Sequence, residues 1–339
     1  MRVLLNALVV LLLPLSFAVS AVADPLKIGF VYVGPTGDHG WTYMHDVGRK
    51  EIEKEFGDKV ETTFVESVAY GPDSERVMTQ MAMQGVDLIF TTSFGYMDPT
   101  QNVAKKFPDV KFEHATGYKT APNVSVYSSK FYEGRYVQGV IAGHMSKKGK
   151  AGYIASFPIP EVIRGINAFY LGAKSVNPDF DVDVVWVNTW YDPSKEADAA
   201  TVLIQQGADI ITQHTDSPAA LQVAQQSGIK AFGQASDMIQ FAPDTQLTAI
   251  LDLWGPYYIE RVRAVLDGTW KESDTWGGMD TGMVAMAPYT NMPDEIKKIA
   301  MAVEKDITEG KLDIFPGKSV GDLLGMNQYV EGIDAFLPN

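Results

Sequence analysis

The sequence predicts an α/β protein built from two doubly wound lobes, on the basis of three observations. The chain has 339 residues, of which 46% are hydrophobic, so it can bury the cores of two domains. From residue 24 onward, short apolar runs alternate with segments of helical periodicity, which is typical of βαβ units with parallel strands. This alternation occurs in two successive series of roughly 100–120 residues, which favours two sheets over one large sheet.

Residues 1–23 precede the predicted fold and have the features of a secretory signal peptide. A short positive amino terminus is followed by an apolar stretch at 3–19, and the small residues at 21–23 make Asp24 the expected mature start. The alternative is an uncleaved membrane anchor, but the apolar stretch is short for a span and Pro14 interrupts it. Since no cysteine is available for lipid attachment, we expect a protein exported to the periplasm and free in solution.

Composition excludes several classes of function. Lys and Arg total 28 against 42 Asp and Glu, and a net charge of −14 lacks the basic surface that binds nucleic acids. The absence of cysteine excludes disulfide, iron–sulfur, zinc-finger and thiol-nucleophile chemistry. We therefore expect no nucleic-acid partner and no cofactor.

The first series contains four predicted strands and three predicted helices. The strand at 26–33 is an apolar run that ends in Gly-Pro, the pattern of a buried parallel strand. Helical periodicity begins near Gly40, Ser74 and Asp98. The remaining strands of this series are predicted at 60–65, 86–90 and 110–112.

The second series begins near Phe131 with a predicted helix at 132–145. Gly139 and Gly143 lie one helical turn apart, which predicts close packing of this helix against the sheet. Further helices begin at 160, 193 and 218, and a capping oxygen before proline marks the last two starts. The strands of this series are predicted at 152–155, 182–187, 209–212 and 229–232.

The remaining chain is less regular. A strand is predicted at 247–251, a helix at 257–266, an apolar run at 283–287 and an amphipathic helix at 293–309. No low-complexity linker separates the two series, so we expect lobes joined by several short crossings.

A ligand of such a fold binds beyond the carboxyl ends of the parallel strands. Eight predicted segments reach that edge, and none of them contains Lys or Arg: 34–41, 66–71, 91–98, 114–118, 156–160, 188–192, 213–217 and 234–238. A phosphate or carboxylate ligand would require a cation or a glycine-rich helix start. These segments instead carry aromatic side chains, which predicts a small ligand that is flat or apolar and uncharged or mildly cationic.

Five aromatic residues are the candidate ligand contacts: Trp41, Tyr70, Phe94, Phe157 and Trp190. Trp41 and Trp190 stand in polar loops, where a large ring becomes buried only if a ligand or the opposite lobe covers it. Phe157 follows a predicted strand, so packing beneath that strand is an alternative for it.

His214 and Asp237 are the candidate polar contacts at strand ends. Asp237 could accept a hydrogen bond from a heterocycle N–H, and His214 could donate or accept. The alternatives are a loop histidine satisfied by its neighbours and a cap for the residues after 237.

Enzyme motifs are not found. The spacing of Gly34, Gly37 and Gly40 matches neither the dinucleotide-binding motif nor the P-loop. His39 and His45 are six residues apart, which does not suit a metalloprotease zinc site. Asp38 and His39 with Asp46 leave a hydrolase as an alternative, and we expect no enzymatic activity.

Four motifs together resemble the basic membrane protein (BMP) family of ABC-transporter substrate-binding proteins. They are GDHGW at 37–41, FYEGRYVQG at 131–139, QHTDSP at 213–218 and SD at 236–237. The resemblance covers about residues 26–316 and implies a type I periplasmic binding protein with two Rossmann-like lobes and a multi-strand hinge. It implies an N-terminal lobe of 25–130 plus 247–283 and a C-terminal lobe of 131–246 plus 284–339.

The resemblance also implies a ligand class, since characterised members bind purine nucleosides or bases. Trp41 matches the family's stacking aromatic, and Asp237 matches an acidic residue of its last cleft loop. A lysine that helps hold ribose in nucleoside-binding members is absent from the stretch 252–256, which contains Trp254, and Thr42 replaces an asparagine. These departures predict a free purine base such as adenine, bound by a monomer that delivers it to an inner-membrane permease. A nucleoside, another small heterocycle or a receptor-associated sensor role are the alternatives.

Overall fold

The computed structural model describes residues 24–37 and 39–338, so the predicted signal peptide and Asp38 lie outside the described residues. The strands are β1 (Leu26–Val31), β2 (Val60–Val65), β3 (Leu88–Thr91), β4 (Lys111–Ala115), β5 (Val124–Ser129), β6 (Lys150–Ala155), β7 (Asp181–Trp186), β8 (Ile210–His214), β9 (Lys230–Gly233), β10 (Gln246–Asp252), β11 (Asp274–Gly277) and β12 (Val284–Met286). The helices are α1 (Trp41–Phe56), α2 (Pro72–Met83), α3 (Met97–Lys106), α4 (Tyr132–Met145), α5 (Pro160–Lys174), α6 (Pro193–Gln205), α7 (Ala219–Ser227), α8 (Gly255–Leu266), α9 (Asp294–Thr308) and α10 (Val320–Leu324). Across the described ranges, no helix has the length and apolar character needed to span a membrane.

The two sheets share one strand order. The first sheet runs β2-β1-β3-β4-β5-β11, and the second runs β7-β6-β8-β9-β10-β12. All neighbouring strands are parallel except β10 and β12, which are antiparallel. The order reverses between β1 and β3 in one sheet and between β6 and β8 in the other, and a crevice opens at such a point. The predicted fold of two doubly wound lobes is confirmed.

Helices cover both faces of each sheet. In the first lobe, α1 and α8 pack with β1 on one face, while α2 and α3 pack on the other. In the second lobe, α4, α5 and α9 share one core, and α6 and α7 form the other. Because both faces are covered, the central strands consist almost wholly of buried residues, which explains their continuous apolar runs.

One strand differs from the predicted division of the chain. The N-terminal lobe was expected to include 247–283, but β10 pairs with β9 and β12 in the second sheet. The return to the first sheet is made by α8 and by β11, which pairs with β5. A buried apolar strand suits either sheet equally, so its pairing could not be deduced from its composition.

The packing of α4 also differs from the prediction. A Cβ atom added at Gly139 would overlap the backbone of Phe169, and one at Gly143 would lie 2.7 Å from the Ala173 carbonyl oxygen. Phe169 and Ala173 both belong to α5, so these glycines allow α4 and α5 to approach each other closely. The prediction that they pack against the sheet was wrong, because helix–helix and helix–sheet contacts both favour small residues at this spacing.

The lobes contact each other across the cleft, in a closed arrangement. The Gly40 N–H donates to Ser236 Oγ over 2.8 Å, and the Trp41 N–H donates to Asp216 Oδ1 over 3.2 Å. Within the part of the chain that is described, the backbone passes between the lobes after β5, after β10 and between β11 and β12.

Candidate ligand-binding site

A narrow slot lies between the lobes at the two points where the strand order reverses. The slot encloses about 330 Å³ of empty space. Its walls lie so close together that the centre of a water molecule could occupy only about 20 Å³ of that space. The slot is lined by Val33, Trp41, Ser93, Phe94, Thr116, Glu161, Trp190, His214, Asp216 and Gln234. The slot is therefore narrow, and no Lys or Arg is among the described residues that line it.

Trp41 forms part of the first-lobe wall and is held from several sides. Its indole Nε1–H donates to the Thr92 carbonyl oxygen over 2.6 Å. Its ring meets His45 and Trp254 edge-on, at centroid distances of 4.6 and 5.3 Å. Trp254 is only 1% exposed and lies in the first-lobe core, so it supports Trp41 and does not line the slot. The stacking face of Trp41 is therefore fixed before any ligand enters.

Trp190 lies on the second-lobe side of the slot. Its ring packs against Phe157 and His214 at centroid distances of 5.2 and 6.2 Å. Phe157 contacts Trp190 without lining the slot, so it supports that ring. Tyr70 also does not line the slot, but its hydroxyl lies 2.7 Å from Oγ of Ser93, which does. Of the predicted aromatic contacts, Trp41, Trp190 and Phe94 line the slot directly.

Asp237 is not among the residues that line the slot. Its Oδ1 accepts hydrogen bonds from the Ile239 N–H over 3.1 Å and from Gln246 Nε2 over 2.7 Å. The structure thus gives Asp237 a capping role, the alternative that the sequence left open, and corrects its expected place at the ligand edge. A carboxylate that follows a strand can serve either purpose, and the local sequence does not distinguish them.

Two acidic residues that were not among the predicted contacts, Glu161 and Asp216, also line the slot. Burial raises the pKa of Asp216 to about 8, against the lowering effect of the Trp41 N–H, and the charges of Glu196 and Glu161 raise it further. Burial also raises the pKa of Glu161 to about 7, opposed by the positive charge of Arg164. Near neutral pH, both carboxyls can carry a proton, so each can donate or accept a hydrogen bond.

His214 occupies the predicted position at the end of β8. Burial lowers its pKa well below the ordinary value, and the nearby charges of Arg135 and Arg164 act in the same direction. Its imidazole is therefore neutral, and its Nδ1 has no hydrogen-bond partner among the described residues. A neutral imidazole offers one donor and one acceptor, which suits the edge of a heterocycle.

A buried arginine holds the polar residues beneath the slot. Arg135 is fully buried, and its guanidinium donates to Gln138 Oε1, Thr212 Oγ1, the Gln213 carbonyl oxygen and Gln234 Oε1. Gln234 lines the slot, so this network fixes the orientation of its amide. Arg135 was absent from the predicted site because it lies inside a helix, distant in sequence from the strand ends.

Comparisons with known proteins agree with this geometry. The Bmp family, described as PnrA-like ABC transporter substrate-binding proteins, matches residues 26–315. A purine-binding protein of Brucella abortus is 64% identical over 93% of this chain and 95% of its own length. A candidate ABC transporter glucose-binding protein of Haloferax volcanii is 39% identical over 93% of this chain and 82% of its own.

The fold has solved counterparts. An ABC transporter solute-binding protein of Aeropyrum pernix superposes with a TM-score of 0.74 at 17% identity, covering 88% of this chain and 95% of that one. Proteins of this family bind solutes and are not enzymes, and their role implies a membrane permease as partner. On the family match and the identity to the Brucella protein, this chain belongs to the BMP family of ABC transporter substrate-binding proteins.

Proposed function

We propose that this protein binds a free purine base, such as adenine, guanine or hypoxanthine, as the periplasmic component of an ABC uptake system. The observation that carries the proposal is the narrow slot with Trp41 and Trp190 in its walls and no cation among its described lining residues. The name of the Brucella relative, a purine-binding protein, supports the same ligand class.

The slot supplies both kinds of contact that a purine requires. Stacking on an aromatic side chain is worth about 1–3 kcal/mol per base. The ring edge carries donors and acceptors, which meet His214, Asp216 and Glu161. Because the two carboxyls can hold or release a proton near neutral pH, the site can match either a donor or an acceptor on the base.

Capture proceeds by closure of the lobes and involves no covalent chemistry. Trp41 belongs to one lobe, and Trp190 and Asp216 belong to the other, so a bound base contacts both. A ligand that contacts both lobes binds the closed state more tightly than the open state, and it therefore shifts the equilibrium toward the closed state. The permease then recognises the outer surface of the closed monomer.

A free base is preferred over a nucleoside in this proposal. Burying a hydroxyl without a partner costs about 1–3 kcal/mol, and a ribose brings three hydroxyls. Because Trp254 lies in the core and does not line the slot, this preference rests on the missing ribose-side lysine.

Calorimetric titration of ligand-stripped protein tests the proposal. We expect adenine, guanine or hypoxanthine to bind more tightly than the corresponding ribonucleosides, and glucose to give no heat of binding. Equal or tighter binding of nucleosides would refute the preference for the base, and binding of glucose alone would refute the purine assignment. Native mass spectrometry of the freshly purified protein identifies whichever small molecule is retained.

A further inference from the structure

The slot opens into a wider chamber that the bound base would leave unfilled. This chamber has a cavity volume of about 500 Å³. Phe94, Thr116 and Glu161 line both spaces, so the chamber continues directly from the slot. The other lining residues are Gly117, Tyr118, Ser128, Ser129, Pro160, Arg164, Leu324 and Gly325.

Part of the chamber wall comes from the chain that follows the family match. Leu324 and Gly325 lie at the end of α10, beyond residue 315. The Leu323 carbonyl oxygen accepts from Arg164 Nη1 over 2.6 Å, and the Gln328 carbonyl oxygen accepts from Asn167 Nδ2 over 2.9 Å. These bonds hold the segment on the second lobe and fix Leu324 at the mouth of the cleft.

The side chains of the chamber favour an uncharged, apolar occupant. Phe94 and Tyr118 face each other from the first lobe at a centroid distance of 6.5 Å, and Tyr118 is 62% exposed. Pro160 and Leu324 provide apolar surface from the second lobe. The cation of the chamber, Arg164, already donates to a backbone carbonyl and lies over the rings of Tyr132 and Trp276.

Glu161 marks the boundary between slot and chamber. Its carboxyl makes no hydrogen bond within the described ranges, although it lines both spaces. A ring or exocyclic N–H of a base in the slot can donate to this carboxyl, and a group attached near that N–H then points into the chamber. This arrangement gives a substituted heterocycle a defined direction in the cleft.

We propose that the chamber is a second subsite, which accepts an apolar substituent of the size of a phenyl ring on a purine held in the slot. The inference rests on the proposed purine function and extends the ligand range from free bases to substituted ones. A substituent that fits the chamber buries apolar surface against Phe94, Tyr118 and Leu324.

The test compares adenine with two derivatives, 9-benzyladenine and 6-benzylaminopurine, which carry the same group at different ring positions. We expect at least one derivative to bind wild-type protein within about tenfold of adenine. Leu324→Trp fills the chamber and should weaken that derivative by about tenfold or more while leaving adenine within about twofold. Met83→Trp, at a 74% exposed position outside the chamber, is the matched control and should change neither affinity.

A second variant tests the opposite wall. Tyr118→Ala removes an exposed ring, and should weaken the benzyl derivative severalfold without changing the affinity for adenine. The chamber proposal is overturned if adenine binds but neither derivative does, or if Leu324→Trp affects adenine and the derivative alike. Failure of adenine itself to bind wild-type protein refutes the purine function instead.

Discussion

Gly40 is the position where a single added methyl group should prevent closure. Its φ of +90° lies in the region that favours glycine, and its N–H donates to Ser236 of the opposite lobe. A Cβ atom here would lie 2.5 Å from the Asp216 carbonyl oxygen and 2.9 Å from the Asp216 Cβ. Backbone strain of this kind costs about 1–3 kcal/mol, and relief of the overlap requires the lobes to separate. For Gly40→Ala we expect purine affinity to fall by about ten- to hundredfold.

The matched control is Gly37→Ala in the same loop. Gly37 has no heavy atom within 4 Å of an added Cβ, so this variant should bind like the wild type. Calorimetry gives the affinities, and small-angle X-ray scattering with saturating purine gives the radius of gyration, which should be larger for Gly40→Ala. If Gly40→Ala binds as tightly as Gly37→Ala and shows the same radius of gyration, the closed contact at Gly40 is not required for binding.

Three further predictions concern the slot. Trp41→Ala should weaken purine binding by about 1–3 kcal/mol in calorimetry, and it should also lower the Tm, because the indole packs against the cores of both lobes. Trp41→Phe should lower the Tm much less than Trp41→Ala does. Unchanged purine binding by Trp41→Ala would contradict the stacking role. AMP should bind at least about tenfold more weakly than adenine in a displacement assay, since no Lys or Arg is among the described residues that line the slot and Arg164 of the chamber already donates to the Leu323 carbonyl oxygen. Asp216 has a folded pKa of about 8, above its ordinary 3.8, so the folded protein holds this proton more tightly than the unfolded chain does. Its contribution to the free energy of unfolding should therefore fall as pH rises from about 4 to about 8, by at most about 6 kcal/mol, and urea unfolding of Asp216→Asn should show a weaker pH dependence than the wild type.

The fold was predictable where local pattern and burial agree. The apolar runs that became β6, β7 and β8 are each followed by a proline at or just before the start of the next helix, so these βαβ units are visible without tertiary information. β5 was not predicted because three of its six residues are serines, and β11 was not predicted because its four residues include Asp274 and two that are partly exposed. β11 lies at the edge of the first sheet, where the apolar requirement is relaxed. Edge strands and the sheet assignment of β10 depend on pairing, which local sequence does not encode.

The candidate site was predictable at the level of residue type. Aromatic residues without cations at the strand ends pointed to Trp41, Phe94, Trp190 and His214, which line the slot, and their contact with a ligand stays a prediction. Asp216 lies two residues beyond His214 on the same strand end, and this spacing was the signal that could have identified it. The contribution of Leu324 had no comparable signal, because α10 reaches the cleft only through its packing on α5.

The attachment of the carboxy-terminal segment has an evolutionary consequence. The segment is held by backbone hydrogen bonds at Leu323, Gln328, Val330 and Phe336, and by side chains that pack against the second-lobe core, namely Leu323, Met326, Tyr329, Val330 and Ile333. Leu324 is exposed and is not one of these core contacts, so a substitution at this position leaves the anchorage of the segment in place. A lineage can therefore alter the group at position 324, and with it the range of ligands admitted, while the shared fold and the aromatic slot stay unchanged.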